Sequence, residues 1–209
     1  MESPFRDTAD VKLIETLRWE NGAFPRLSGH MARMAAGAAT LGRSFDPQAA
    51  EAALRAAAPN GAARMRLTLD AASRLEAEAA PLPPTRPEWR LGLAPTSLAS
   101  GDPWLRLKST RRAAYDTARA ALPPHLDEYI FGNEQAETCD GTITTLFFDA
   151  GHGLQTPPLR CGLLPGVLRA EMLETGRVTE AVLPLSALGD VRLWVGNSLR
   201  GLIPARFIG

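Results

Sequence analysis

Of 23 basic residues, only Lys12 and Lys108 are lysines; every other basic position is arginine. Only lysine carries an amine that burial can deprotonate and that can form an imine with a carbonyl. Lys108 lies in Trp104-Leu105-Arg106-Leu107-Lys108-Ser109-Thr110-Arg111-Arg112, which runs into Tyr115. Leu105 and Leu107 alternate with Arg106, which predicts a half-buried strand ending at the lysine. Taken alone, Lys108 also reads as a surface lysine at a strand end. His30, His125 and His152 are scattered, so no metal site is expected. Cys139 and Cys161 have neither disulfide-framework nor zinc-ligand spacing and read as buried thiols in a reducing compartment.

The elements around Lys108 follow from periodicity and breakers. Residues 11–19 alternate as a strand, with a turn at Glu20-Asn21-Gly22. Ser28 reads as the cap of a helix ending at Gly42, and Asp46 as the cap of one over 47–58. Residues 63–69 and 89–94 read as strands, and 75–79 as a short element. The segment 95–103 holds Ser, Gly and Pro and reads as a linker between a smaller domain, 1–94, and a larger one, 104–209. Beyond it a helix is expected over 109–122, a strand over 128–131, a polar loop over 132–141 and a strand over 142–148. Pro165-Gly166 opens a helix that runs to Thr175 and stops at Gly176. Strands over 181–185, 191–195 and 202–208 complete an α+β chain.

Length, 45% hydrophobic and 22% charged residues describe an ordinary globular protein with a proper core. Zero net charge leaves no electrostatic footprint for nucleic acid or an anionic membrane. No apolar run is long enough to span a bilayer and the start lacks a signal sequence, so a cytoplasmic protein is expected.

Several motifs occur in a telling order: His30-Met31-Ala32-Arg33, Lys108, Asp140-Gly141-Thr142, the run from Pro157 to Arg169 containing Leu164-Pro165-Gly166-Val167-Leu168, and Asn197-Ser198-Leu199. Together they resemble the class IV, or fold-type IV, pyridoxal-phosphate enzymes. These include branched-chain and D-amino-acid aminotransferases and aminodeoxychorismate lyase. The resemblance implies a two-domain α+β fold with a shortened N-terminus, where Phe5-Arg6-Asp7 is at best a remnant of the usual opening stretch. It implies pyridoxal 5′-phosphate as cofactor, a small amino substrate and a homodimer. Lys108 would bind the cofactor and act as base at the substrate carbon. Asp140 would keep the ring nitrogen protonated where the family uses Glu, with Glu137 as the competing choice. Arg33, Gly166, Val167, Leu168, Asn197 and Ser198 would hold the phosphate, and Leu164 would lie against the ring. Leu168 stands where many members have a hydroxyl residue. His30 would be structural beside Arg33.

Thr16, in Glu15-Thr16-Leu17-Arg18, resembles the lyase branch, whose threonine faces the cofactor. The favoured reaction is therefore release of pyruvate from 4-amino-4-deoxychorismate to give 4-aminobenzoate for folate synthesis. An aminotransferase is the alternative, and a fold-type IV remnant acting as a binding protein is a third. Arg106 and Arg160 are the arginines available for a substrate carboxylate.

Overall fold

The computed structural model describes residues 4–209. The chain divides into two compact units. The first runs to Pro84 and also takes in Leu107–Arg111; the second comprises Thr85–Arg106 and Arg112–Gly209.

In the first unit, β1 (Leu13–Trp19), β2 (Ala63–Leu69) and β3 (Leu75–Ala80) form an antiparallel sheet in sequence order. Helix α1 (Leu27–Thr40) packs on β1, and α2 (Pro47–Ala57) packs on β2 and β3. Leu17, Leu54, Met65, Leu67 and Leu69 are fully buried between these layers. Each buried side chain of this size contributes roughly 2 kcal/mol of transfer free energy. Asp46 caps α2 as expected, accepting from the Gln48 amide at 2.8 Å, with Pro47 at the first helical position. Helix α1 starts earlier than Ser28 suggests. Arg26, in the left-handed region at φ 62°, is its N-cap, and Ser28 falls inside the first turn.

The second unit is built on β4 (Trp89–Leu93), β5 (Glu128–Gly132), β6 (Thr138–Gly141), β7 (Thr145–Asp149), β8 (Gln155–Thr156), β9 (Thr179–Glu180), β10 (Arg192–Asn197) and β11 (Gly201–Phe207). The sheet order is β10-β11-β4-β5-β6-β7-β8-β9. β10 also pairs with β7, so six strands close on themselves. Alternate residues of these strands fill the inside: Trp89, Leu91, Ile130, Leu146, Phe148, Leu193, Val195 and Ile203. Helix α4 (Val167–Glu174) covers Phe147 from the other face through Leu168 and Met172. Helix α3 (Ala113–Ala120) packs on β5.

Four departures from the sequence reading have local causes. Residues 104–108 do not continue as a strand. Asp102 caps Pro103–Arg106 as a 3-10 turn, accepting from the Trp104 amide at 2.9 Å, so Trp104 and Leu105 are buried side by side. The helix after the lysine begins at Ala113 rather than 109, because Lys108 and Thr110 are tied by backbone hydrogen bonds to Ile14 and Lys12. The expected polar loop over 132–141 is a tight turn plus β6: Asn133 Oδ1 accepts from the amides of Gln135 and Glu137 and folds the chain back. No strand forms over 181–185: Pro184, with no amide to donate, makes only an isolated bridge with Glu137, and a 3-10 turn follows at Leu185–Ala187. β4 pairs in parallel with β5 and β11 and so belongs to the larger sheet. Among the described residues, no helix is long and apolar enough to cross a membrane.

Candidate active site

In the first unit, β1 fixes the lysine segment. The Ile14 amide donates to the Lys108 carbonyl at 2.8 Å, and the Thr110 amide donates to the Lys12 carbonyl at 2.8 Å. The Lys12 amide adds a bond to the Thr110 hydroxyl at 2.9 Å. Leu13 pairs with Ser109, so Lys108 lies opposite Ile14. Strand alternation then assigns the faces. Leu13 and Leu107 point to α1, where a methyl at Gly37 would meet both within 4 Å. Ile14, Thr16 and Lys108 share the opposite face, and Thr16 and Lys108 are both half-buried.

Glu15, on the α1 side, is 1% exposed and sits in a row with Leu13 and Leu17. Arg33 grips it side-on: Nε donates to Oε1 at 2.8 Å and Nη2 to Oε2 at 2.6 Å. His30, fully buried, contacts Oε2 through Nδ1 at 2.6 Å. Burial opposes ionisation of Glu15, but the Arg33 charge and the hydrogen bonds of Arg33 and His30 outweigh it and hold the carboxyl at about 2. Burial likewise pulls His30 below its ordinary value, with Glu15 acting in the opposite sense. His30 is therefore a neutral ring whose Nδ1–H donates to Glu15.

Both shifts lie below the unfolded-state values, so both contributions are complete at higher pH and are lost on acidification. For Glu15 the loss runs from about pH 4.5 down to about 2 and amounts to about 3 kcal/mol. His30 loses its contribution as pH falls below 6.5. Thermal unfolding followed from pH 7 to pH 3 is expected to show a falling midpoint. A midpoint flat through that range would contradict these assignments.

The second unit carries the remaining residues. Asp140 is not in a solvated turn: it is 5% exposed, inside β6, and paired with Thr145 of β7. Burial first, and then the neighbouring Asp140 charge, push the Tyr115 hydroxyl and the Cys139 thiol upward, so both stay protonated. Glu137, the competing carboxylate, accepts from Asn133 Nδ2 at 3.0 Å and pairs with Arg160 at 3.2 Å at the hairpin turn. That contact also engages one of the two arginines considered for a substrate.

The chain just after Asp140 is shaped by Glu128, which is fully buried. Its carboxylate accepts from the amides of Tyr129 (3.0 Å), Thr142 (3.1 Å) and Ile143 (3.2 Å), and from the hydroxyls of Thr142 and Thr144. Arg119 approaches at 3.5 Å. Residues 142–144 therefore wrap a carboxylate, and β7 begins only at Thr145. Two backbone carbonyls of the turn face outward: Thr142 accepts from Arg112 Nη2 at 2.8 Å, and Ile143 accepts from Asn197 Nδ2 at 3.1 Å.

Gly166 is the N-cap of α4, and no side chain caps the helix. Its backbone amides at Val167 and Leu168 thus form the positive end of a helix dipole, an arrangement that binds phosphate. A methyl on Gly166 would stand 2.7 Å from Thr145 Oγ1, and one on Gly196 would stand 2.9 Å from Leu168 Cδ2. The helix start, Thr145 and the end of β10 are therefore in close contact. Asn197 Oδ1 accepts from the Leu199 and Arg200 amides and holds the next turn, in which Ser198 is 7% exposed. Leu164 is half-buried just ahead of Pro165.

The model of the amino-transferase class IV family matches residues 12–208. The chain belongs to this family. A protein from Mesorhizobium loti, provisionally named an amino-acid aminotransferase, is 45% identical, with a TM-score of 0.91 over 95% of this chain and 100% of its own. The 4-amino-4-deoxychorismate lyase from Pseudomonas aeruginosa is 25% identical, with a TM-score of 0.81 over 94% of this chain and 82% of its own. A hypothetical aminotransferase from Mycobacterium tuberculosis, in a PLP-bound form, is 20% identical and shares the fold, with a TM-score of 0.80 over 95% of this chain and 81% of its own. No protein of curated function matches the chain.

Class IV enzymes depend on pyridoxal phosphate, and the residues of this class IV chain fit that group. An uncapped helix start beside two glycines suits a phosphate, a buried carboxylate suits a pyridinium nitrogen, and a lysine fixed by its backbone suits an aldehyde. Sequence reasoning missed Glu15, Glu128 and Thr145. Glu15 was visible only as an acid breaking the row Leu13-x-Glu15-x-Leu17; the other two gave no signal.

Proposed function

We propose that this class IV enzyme is a 4-amino-4-deoxychorismate lyase, releasing pyruvate and leaving 4-aminobenzoate for folate synthesis. The observation behind this reading is the shared face of β1 and its neighbour, where Thr16 stands with Lys108. When bound, pyridoxal phosphate supplies an electron sink for the pair left by a broken C–H bond. Lys108 would hold its aldehyde, and its amine would take the proton from the amine-bearing carbon of the substrate. The Thr16 hydroxyl orients the Lys108 amine and a proton near the departing enolpyruvyl group. That group leaves with its C–O bond pair and becomes pyruvate on protonation, while the ring becomes aromatic. Asp140 holds the ring nitrogen protonated, and Leu164 lies against the ring. Arg33, the amides at Gly166, Val167 and Leu168, and the Asn197-Ser198 turn hold the phosphate. The enzyme acts as a cytoplasmic homodimer on a small amino substrate, with Arg106 the preferred carboxylate partner because Arg160 is paired with Glu137.

Amino transfer is the second reading, favoured by the 45% identity to the Mesorhizobium loti protein. There Lys108 takes the same proton and a 2-oxo acid receives the amine. The two part on the acceptor. Purified enzyme with 4-amino-4-deoxychorismate and no 2-oxo acid is expected to yield pyruvate and 4-aminobenzoate in equal amounts. No product in that assay, with amine passing to 2-oxoglutarate, would replace the lyase with the aminotransferase.

A further inference from the structure

We propose that Glu15 is the positioning residue for the phosphate end of the cofactor, setting the plane of the Arg33 guanidinium; this rests on the reading of Arg33 as a phosphate ligand. Glu15 stands where the alternation of β1 calls for an apolar side chain, between Leu13 and Leu17 and against α1. A carboxylate there loses its hydration. An apolar residue at 15 with a solvated Arg33 would cost less, because replacing a buried ion pair by a well-packed apolar group is often neutral or stabilising. Stability alone therefore does not single out a carboxylate at this position, whereas placement of Arg33 does.

The geometry is specific. Two parallel bonds, from Nε and Nη2 to the two carboxylate oxygens, fix the guanidinium in plane and in direction. Nη1 then has a set heading away from Glu15. His30 adds a second constraint: its Nδ1–H donates to Oε2 and stops the carboxylate from turning. His30 is itself wholly enclosed. The residue before Glu15 bonds the Lys108 carbonyl. One strand thus fixes the backbone of the lysine segment through Ile14 and the Arg33 guanidinium through the Glu15 side chain on its other face.

The test compares pyridoxal phosphate with pyridoxal, which has the same aldehyde and ring but no phosphate. Both react with the same amine, so the ratio of their dissociation constants on cofactor-stripped protein reports the phosphate contacts alone. Wild type is expected to favour the phosphorylated form strongly. Glu15→Gln should lower that preference about tenfold, the worth of one charged hydrogen bond, with pyridoxal affinity within about twofold of wild type. Glu15→Asp keeps the charge with a shorter reach and should fall between; it carries the test if Glu15→Gln does not fold. Arg33→Ala should remove most of the preference. A wild-type ratio in both Glu15 variants, alongside a reduced one in Arg33→Ala, would overturn the role of Glu15 alone. An unchanged ratio in Arg33→Ala would instead remove the phosphate reading of Arg33. Equal weakening of both ligands by Glu15→Gln would mark Glu15 as merely structural.

Discussion

Replacing Lys108 with alanine is expected to reduce turnover by about 10³-fold or more while shifting stability by less than about 1 kcal/mol. The two effects separate because the lysine segment is held by its backbone. The bonds Ile14 N to Lys108 O, Thr110 N to Lys12 O and Lys12 N to the Thr110 hydroxyl survive loss of the side chain. No second lysine takes over. The only other one, Lys12, is paired with Glu76 at 3.0 Å, on an exposed part of the sheet. A general base alone is worth about 10² to 10⁴ in rate, and Lys108 is proposed to anchor the cofactor as well. Turnover measured beside a denaturation curve checks both halves. Activity within tenfold of wild type would remove Lys108 from the chemistry.

The second large effect is structural. Glu128→Ala is expected to destabilise the enzyme by about 3–5 kcal/mol, the range for breaking a buried, fully bonded charge. Deleting the carboxylate leaves the Tyr129, Thr142 and Ile143 amides and two threonine hydroxyls without their acceptor, beside Arg119. Each orphaned buried donor costs about 1–3 kcal/mol, although relaxation of the turn recovers part of the sum. The turn also carries the carbonyls that bind Arg112 and Asn197, and it follows directly on Asp140. Cofactor affinity should therefore fall together with stability. Glu128→Gln, which keeps one acceptor oxygen, should cost less than Glu128→Ala. Chemical denaturation measures both; a loss below about 1 kcal/mol for Glu128→Ala would contradict the picture of Glu128 as the centre of that turn.

These two residues also mark what the sequence could and could not disclose. Lys108 was legible because lysine is so scarce in a chain rich in arginine. The Pro165-Gly166 helix start, the Asp46-Pro47 cap and the alternation over 63–69 were legible because each is a local rule of backbone chemistry. Glu128 was not. An acid at the head of a strand ordinarily faces solvent, and most of its donors come from residues 14 to 16 positions away, brought in by the β5–β6 hairpin and the turn that follows. Glu15 stands next to Thr16 as an acid in an apolar row, yet its pairing with Arg33 spans 18 positions and depends on α1 folding over β1. Asp140 was legible as the candidate carboxylate, but its burial inside a strand was not, because Asn133 closes a hairpin that composition alone leaves as a loop. The strand expected through Lys108 failed at Asp102-Pro103, where a cap outweighed an alternation only three residues long.

The central claim is that Lys108 holds the cofactor, and the scarcity of lysine makes its test direct. Protein loaded with pyridoxal phosphate, reduced with borohydride, digested and mapped by mass spectrometry offers two side-chain amines, Lys12 and Lys108, besides the chain's amino terminus. The pyridoxyl mass is expected on the peptide containing Lys108 and on no other, and it should vanish in Lys108→Ala. Label on Lys12 or the amino terminus, or no label at all on a folded protein, would contradict the account.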